Sequence, residues 1–171
     1  NENLQGKTLL ELGTGSGAIS ISIAQENKDC FIFATDISIK SILVAKQNAA
    51  KFCCENIIFL NHDWNNEWLF PQVDYLISNP PYVDKEATSG KEEGIWHEPE
   101  IALFSKDKGL YDLKLILSKG KNFLNENGKV YLEHAPDQYE ELNKFAMENG
   151  YLNFSNLNDL NGDKRVSIYQ C

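Results

Sequence analysis

The last long stretch of the chain, Asn153-Phe-Ser-Asn-Leu-Asn-Asp-Leu-Asn-Gly-Asp-Lys-Arg-Val-Ser-Ile-Tyr169, decides the topology. Asn153–Leu157 and Val166–Tyr169 each read as a strand. Only residues 158–165 separate them, whereas a crossover to a parallel neighbour takes about a dozen residues or more. The pair therefore reads as an antiparallel hairpin.

Upstream the pattern changes. Thr8–Leu12, Cys30–Thr35, Ile57–Leu60, Tyr75–Ser78 and Val130–Glu133 are short runs rich in Val, Ile, Leu or aromatics. Such runs suit strands buried on both faces of a parallel sheet. Helical patterns lie between them. In Ser38–Phe52 the apolar residues Ile39, Ile42, Leu43, Ala45, Ala49 and Phe52 recur at three- and four-residue steps behind a Ser38 N-cap. Leu110–Leu124 repeats the pattern, weakened by Gly120, and a further helix opens at Pro136 and stops at Gly150. Residues 18–27 alternate like a strand, but the glycine loop before them and the strand soon after predict a helix. The expectation is an α/β fold with a Rossmann-like, seven-stranded, mostly parallel sheet closed by an antiparallel C-terminal hairpin.

Composition bounds the function. The chain has 171 residues, 42% of them apolar and 24% charged, which suits one ordinary globular domain. No apolar run approaches the roughly 20 residues of a membrane span, and the start shows no export signal. Cys30, Cys53, Cys54 and Cys171 lack C-x-x-C spacing and fit reduced thiols, so a cytoplasmic protein is expected. His62, His97 and His134 share no ligand spacing, and no metal site is read. The net charge of −9, without a basic stripe, disfavours nucleic acid as partner. A small molecule or a basic protein suits it better.

Four segments carry chemistry. Glu11-Leu-Gly-Thr-Gly-Ser-Gly-Ala18 places Gly13, Thr14, Gly15, Ser16 and Gly17 after a strand, where glycines let the backbone turn sharply and approach a ligand. The string also satisfies G-x-G-x-x-G/A, so it points to a nucleotide-like cofactor without choosing between NAD and S-adenosylmethionine. Asp36, 23 residues after Gly13, can accept hydrogen bonds from the vicinal hydroxyls of a ribose. It can equally serve as an anion at the start of the following helix. Asp63 and Trp64 follow the third strand, where an acid and an aromatic could bind an adenine or simply make a turn. Asn79-Pro-Pro-Tyr82 closes the fourth strand. Its prolines remove two N–H donors, so Asn79 and Pro80 could offer acceptors to a planar NH2 group while Tyr82 stacks on its plane, or the loop could simply end the strand. Such a clamp orients a poor nucleophile for in-line transfer.

With these residues in place the chain resembles the HemK/PrmC family of protein-(glutamine-N5) methyltransferases. The resemblance runs through residues 11–18, Ala-Thr-Asp at 34–36, Ala45 with Asn48, Asp63-Trp64 and Ile77 to Val83. It continues through Glu98-Pro99, Ala102-Leu103, Asp107 with Gly109-Leu110, Leu132-Glu133-His134 with Gln138, Asp159 to Gly162 and Arg165-Val166. The resemblance implies a class I methyltransferase that uses S-adenosylmethionine and modifies a glutamine of a peptide-chain release factor. Gly13 to Gly17, Asp36, Asp63, Trp64 and Asn79 would contact the cofactor. Asn79, Pro80, Pro81 and Tyr82 would form the substrate clamp, with Asn79, Pro80 and Tyr82 acting in transfer.

A single catalytic domain over 1–171 is expected, acting as a monomer and departing from the family by lacking its helical N-terminal domain. Ser105-Lys106 and Ala135 depart from the family pattern. Residues 83–108, long and without periodicity, are expected to form a lid facing the substrate. The competing expectations are an adenine-N6 or guanine-N2 methyltransferase acting on RNA or DNA, an NAD-binding oxidoreductase, and a non-catalytic cofactor-binding domain.

Overall fold

The computed structural model of the chain describes residues 3–88 and 100–171. In chain order the elements are β1 (Thr8–Leu12), α1 (Ala18–Glu26), β2 (Phe31–Asp36), α2 (Ile39–Lys51), β3 (Ile57–Asn61), β4 (Val73–Ser78), β5 (Val83–Asp84), α3 (Lys85–Thr88), α4 (Glu100–Leu103), β6 (Phe104–Ser105), α5 (Tyr111–Gly120), β7 (Leu124–Glu133), α6 (Tyr139–Glu148), β8 (Asn153–Asn158) and β9 (Lys164–Gln170). Short 3-10 turns stand at Lys121–Phe123 and Pro136–Gln138. Seven strands share one sheet in the order β3-β2-β1-β4-β7-β9-β8. β1 pairs in parallel with β2 and β4, β2 pairs in parallel with β3, and β8 with β9 antiparallel. The expected sheet and its closing hairpin are what the chain forms. Among the described residues no helix is long and apolar enough to cross a membrane.

Two compact units divide the chain: residues 1–78 with 122–129, and residues 79–121 with 130–171. In the first, Leu9 to Leu12 of β1 are all buried, as a central parallel strand requires. The chain runs from β1 outward to β2 and β3, then returns to β4 on the other side of β1. Open α/β sheets bind ligands at such a reversal, outside the carboxyl ends of the strands.

Two sequence expectations are corrected here. β3 is not buried on both faces, because it is the sheet's edge, and Ile58 and Leu60 stay exposed. In α2 only Ile42, Ala45 and Ala49 are buried, while Ile39, Leu43 and the following Phe52 face solvent. The Ser38 cap holds, its side chain accepting the Ser41 N–H.

In the second unit α5, α6 and the hairpin bury Leu113, Ile116, Leu117, Leu142, Ala146, Tyr151 and Tyr169. Tyr151 donates its hydroxyl to the Leu117 carbonyl at 2.9 Å, and Tyr169 donates to Asn143 at 3.1 Å. Helix α5 ends at Gly120, short of the predicted Leu124, and the α-helix predicted from Pro136 starts as a 3-10 turn. β7 begins at Leu124, six residues before the predicted strand, and within it Asn127 takes a positive φ of 62° beside Gly128, where a side chain would crowd Asn125 and Leu124. The described ends of the expected lid form the short elements β5, α3, α4 and β6. Its remaining part, 89–99 with Glu98-Pro99, lies outside the described residues.

Candidate active site

The first unit brings the carboxyl ends of four strands into one row. Register pairs Leu12 with Ser78 on one side and with Thr35 on the other, and Asp36 with Asn61 beyond. The Ser78 hydroxyl donates to the Leu12 carbonyl at 2.8 Å, which ties the ends of β1 and β4. The chain leaves Leu12 into the glycine loop and Ser78 into Asn79.

Gly13, Gly15 and Gly17 all take positive φ, at 73°, 56° and 84°. A chain of L-residues avoids that region, so the loop needs these glycines for its shape. A Cβ on Gly17 would press on Ile21 and Ala45 at 3.0–3.1 Å, which shows how closely α1 meets α2. A Cβ on Gly15 would meet nothing within 4 Å, so the crest of the loop faces open space. Thr14 turns inward: its N–H donates to the Thr35 carbonyl at 2.8 Å and its hydroxyl to Glu11 at 2.6 Å. Ser16 is exposed, and its carbonyl is held by the Asn48 amide at 2.9 Å.

Glu11 underlies the loop. It is 2% exposed and accepts hydroxyls from Thr14 and Ser20. Burial pushes its carboxyl above the usual range, against the pull of those two hydroxyls. In the sequence Glu11 stands only at the start of a motif. The available signal was a lone charge in the apolar run Thr8–Leu12.

Asp36 is bonded both to the glycine loop and to the start of α2. One oxygen accepts the Gly15 N–H at 2.9 Å and the other the Ser38 N–H at 2.8 Å. It is at once the helix-start anion and an acid at the loop. The Asp36 carbonyl accepts the His62 N–H at 3.0 Å, which brings the segment after β3 to the same edge. There Asp63 closes a turn by accepting the backbone and side-chain N–H groups of Asn65. Trp64 is half-buried and its carbonyl accepts the Trp68 indole N–H at 2.9 Å.

The second unit holds the Asn-Pro-Pro-Tyr turn. Asn79 is exposed, Pro80 and Pro81 are buried and Tyr82 is half-buried. The Tyr82 hydroxyl donates to Glu133 at 3.0 Å, and its carbonyl accepts from the Gln138 amide at 2.9 Å. Burial and the Glu133 carboxylate raise the Tyr82 phenol above its ordinary range, with Arg165 acting the other way. Glu133 and Gln138 were visible in the sequence as members of a pattern. Their contact with Tyr82 was not, since they stand 51 and 56 positions further along the chain.

Comparison with known proteins gives a family and relatives. The family model described as the methyltransferase small domain matches residues 1–98. A bifunctional methyltransferase of Rickettsia bellii is 38% identical over 166 residues, covering 96% of this chain and 30% of that protein. The release factor glutamine methyltransferase of Escherichia coli is 32% identical over 160 residues, covering 94% of this chain and 58% of that protein. The chain thus spans about a third to somewhat over half of the length of these relatives. Among solved structures, a methyltransferase from Pyrococcus furiosus superposes with a TM-score of 0.72 at 20% identity, over 98% of this chain and 77% of that one. A ribosomal protein L11 methylase from Lactobacillus delbrueckii gives 0.70 at 18%, over 98% and 70%. At those identities the likeness is one of fold.

Proposed function

Since the chain belongs to the methyltransferase small domain family, we propose that it moves a methyl group from S-adenosylmethionine to the side-chain amide of a glutamine in a peptide-chain release factor. The observation that carries the reading is the pairing of Leu12 with Ser78 at the reversal of the sheet. From those two strand ends the chain continues into the glycine loop and into Asn79-Pro-Pro-Tyr82.

The residues of the first unit fit the cofactor. Open space lies over Gly15. Asp36 spends one lone pair of each oxygen on a backbone N–H, and each carboxylate oxygen has a second for a ribose hydroxyl. In this reading Gly13 to Gly17 and Asp36 hold the ribose and the amino-acid part, while Asp63 and Trp64 take the adenine. When bound, S-adenosylmethionine supplies a methyl group on an electrophilic sulfonium.

The rest of the work is orientation. An amide nitrogen is a poor nucleophile because its lone pair is delocalised. The side-chain oxygen of Asn79 and the Pro80 carbonyl each accept one amide hydrogen, and the Tyr82 ring flanks the amide plane. Holding a weak nucleophile in line lowers the barrier without covalent chemistry. The reading takes the 171 residues as one catalytic domain, acting in the cytoplasm as a single copy. A net charge of −9 suits a basic protein surface as substrate.

The test is incubation of the chain with release factors and isotopically labelled S-adenosylmethionine, followed by peptide mass spectrometry. The expected product is one labelled methyl on a glutamine side chain. Label found on adenine or guanine of added RNA or DNA, with none on protein, would overturn the assignment of the acceptor.

A further inference from the structure

Resting on the reading that Tyr82 flanks the acceptor amide, we propose that Glu133 is a positioning residue for transfer, which holds the Tyr82 ring by accepting its hydroxyl. Tyr82 is fixed first along its main chain. Its carbonyl accepts an N–H of Gln138 at 2.9 Å. The second N–H of that amide goes to the Lys108 carbonyl at 3.2 Å, and the amide oxygen accepts the Ala135 N–H at 2.9 Å. With its oxygen and both hydrogens engaged and only 6% exposure, the Gln138 side chain cannot swing away. Gly109, at φ +83°, completes the enclosure: a Cβ there would overlap the Tyr82 carbonyl oxygen and crowd the Gln138 amide.

What remains free is the swing of the Tyr82 ring about the Cα–Cβ bond. The hydroxyl bond to Glu133, at 3.0 Å, fixes the far end of the ring and removes that swing. Glu133 ends β7, and its neighbour His134 is fully buried and fastened on both ring nitrogens, to Ser167 and to the Ala135 carbonyl, each at 2.8 Å. The carboxylate therefore projects from a rigid support, which is what precise positioning of another group needs. Arg165 lies beside the same phenol, bonds the His134 carbonyl at 3.4 Å and pairs with Asp159 at 3.7 Å. A phenol already donating to a carboxylate has no hydrogen left for a substrate. Tyr82 then contributes its ring face, and its hydroxyl serves only as the anchor.

A double-mutant cycle of Glu133→Ala and Tyr82→Phe tests this, with kcat and KM measured on a glutamine-containing release-factor domain. Each single change should lower kcat/KM roughly tenfold, the scale of losing one hydrogen bond to a charged group. The double variant should be no worse than either alone, and Glu133→Gln, which keeps an acceptor oxygen, should recover most of the rate. S-adenosylmethionine affinity should stay unchanged throughout. Additive losses, or a wild-type rate in Tyr82→Phe, would overturn the proposal. A second readout is independent of turnover: in isotopically labelled protein the three-bond couplings of Tyr82 should report a single rotamer about Cα–Cβ, averaged in Glu133→Ala. Identical couplings in the two proteins would refute the anchor even if the methyl acceptor proved to be something other than glutamine. Failure of wild-type protein to modify glutamine, with the rotamer change intact, would count against the acceptor alone.

Discussion

The Asp36 carboxylate accepts the Gly15 N–H at 2.9 Å, so the acid ending β2 fastens the crest of the loop that follows β1. Its other oxygen accepts the Ser38 N–H at 2.8 Å, where α2 begins. One side chain thus fixes the loop and starts a helix, and each oxygen keeps a lone pair for a ligand.

Asp36→Ala should weaken S-adenosylmethionine binding by about 1–3 kcal/mol, the worth of charge-assisted hydrogen bonds to hydroxyls and of an ordered loop. Calorimetry on the variant measures it. Unchanged affinity, or a wild type that prefers NADH, would contradict the cofactor assignment.

Asn79→Ala should cost roughly 10²–10³ in turnover, as removal of one positioned hydrogen-bonding group does, while cofactor affinity falls far less. Asn79→Asp should be milder because a carboxylate still offers an acceptor oxygen. Turnover at the wild-type rate in Asn79→Ala would reduce the turn to a strand terminator.

Two glycines should separate backbone strain from overlap. Gly15→Ala meets open space at φ +56°, so stability should fall only by the ~1–2 kcal/mol of a left-handed L-residue. Gly109→Ala adds overlap with the Tyr82 carbonyl to the same strain and should lose distinctly more. Denaturant unfolding midpoints for the pair check the order. Equal losses would mean that the Tyr82 enclosure yields without cost.

His134 predicts an acid sensitivity. Burial holds its imidazole below the ordinary 6.5, so the unfolded chain binds the proton more readily. Its stabilising contribution is fully present above about pH 6.5 and is lost as pH falls toward the folded value. Glu11, raised by burial, works in the opposite sense, favouring the fold as it gains a proton. Thermal unfolding of wild type and His134→Gln from about pH 8 to 5 isolates the histidine: the difference in stability between them should shrink as pH falls. A constant difference would remove His134 from the account.

By itself the sequence determined the features that depend on spacing and on residues with singular backbone behaviour. Eight residues between two strands permit a hairpin and forbid a crossover. Glycines at 13, 15 and 17 after an apolar run imply the left-handed loop, and the following acid at 36 falls at the next strand's end. The edge position of β3 was not legible, because an apolar run looks alike at the centre and at the rim of a sheet until the strand order is known. The start of β7 was hidden because Asn125-Glu-Asn-Gly128 has the composition of a turn, and Asn127 does take a left-handed φ of 62° inside the strand's range. Glu11 under the loop, and Glu133 and Gln138 against Tyr82, were decided by tertiary structure alone. Their partners are chosen by the packing of side chains that the fold brings together. Local propensity acts over a few residues and carries no information about a hydrogen bond between positions 82 and 133.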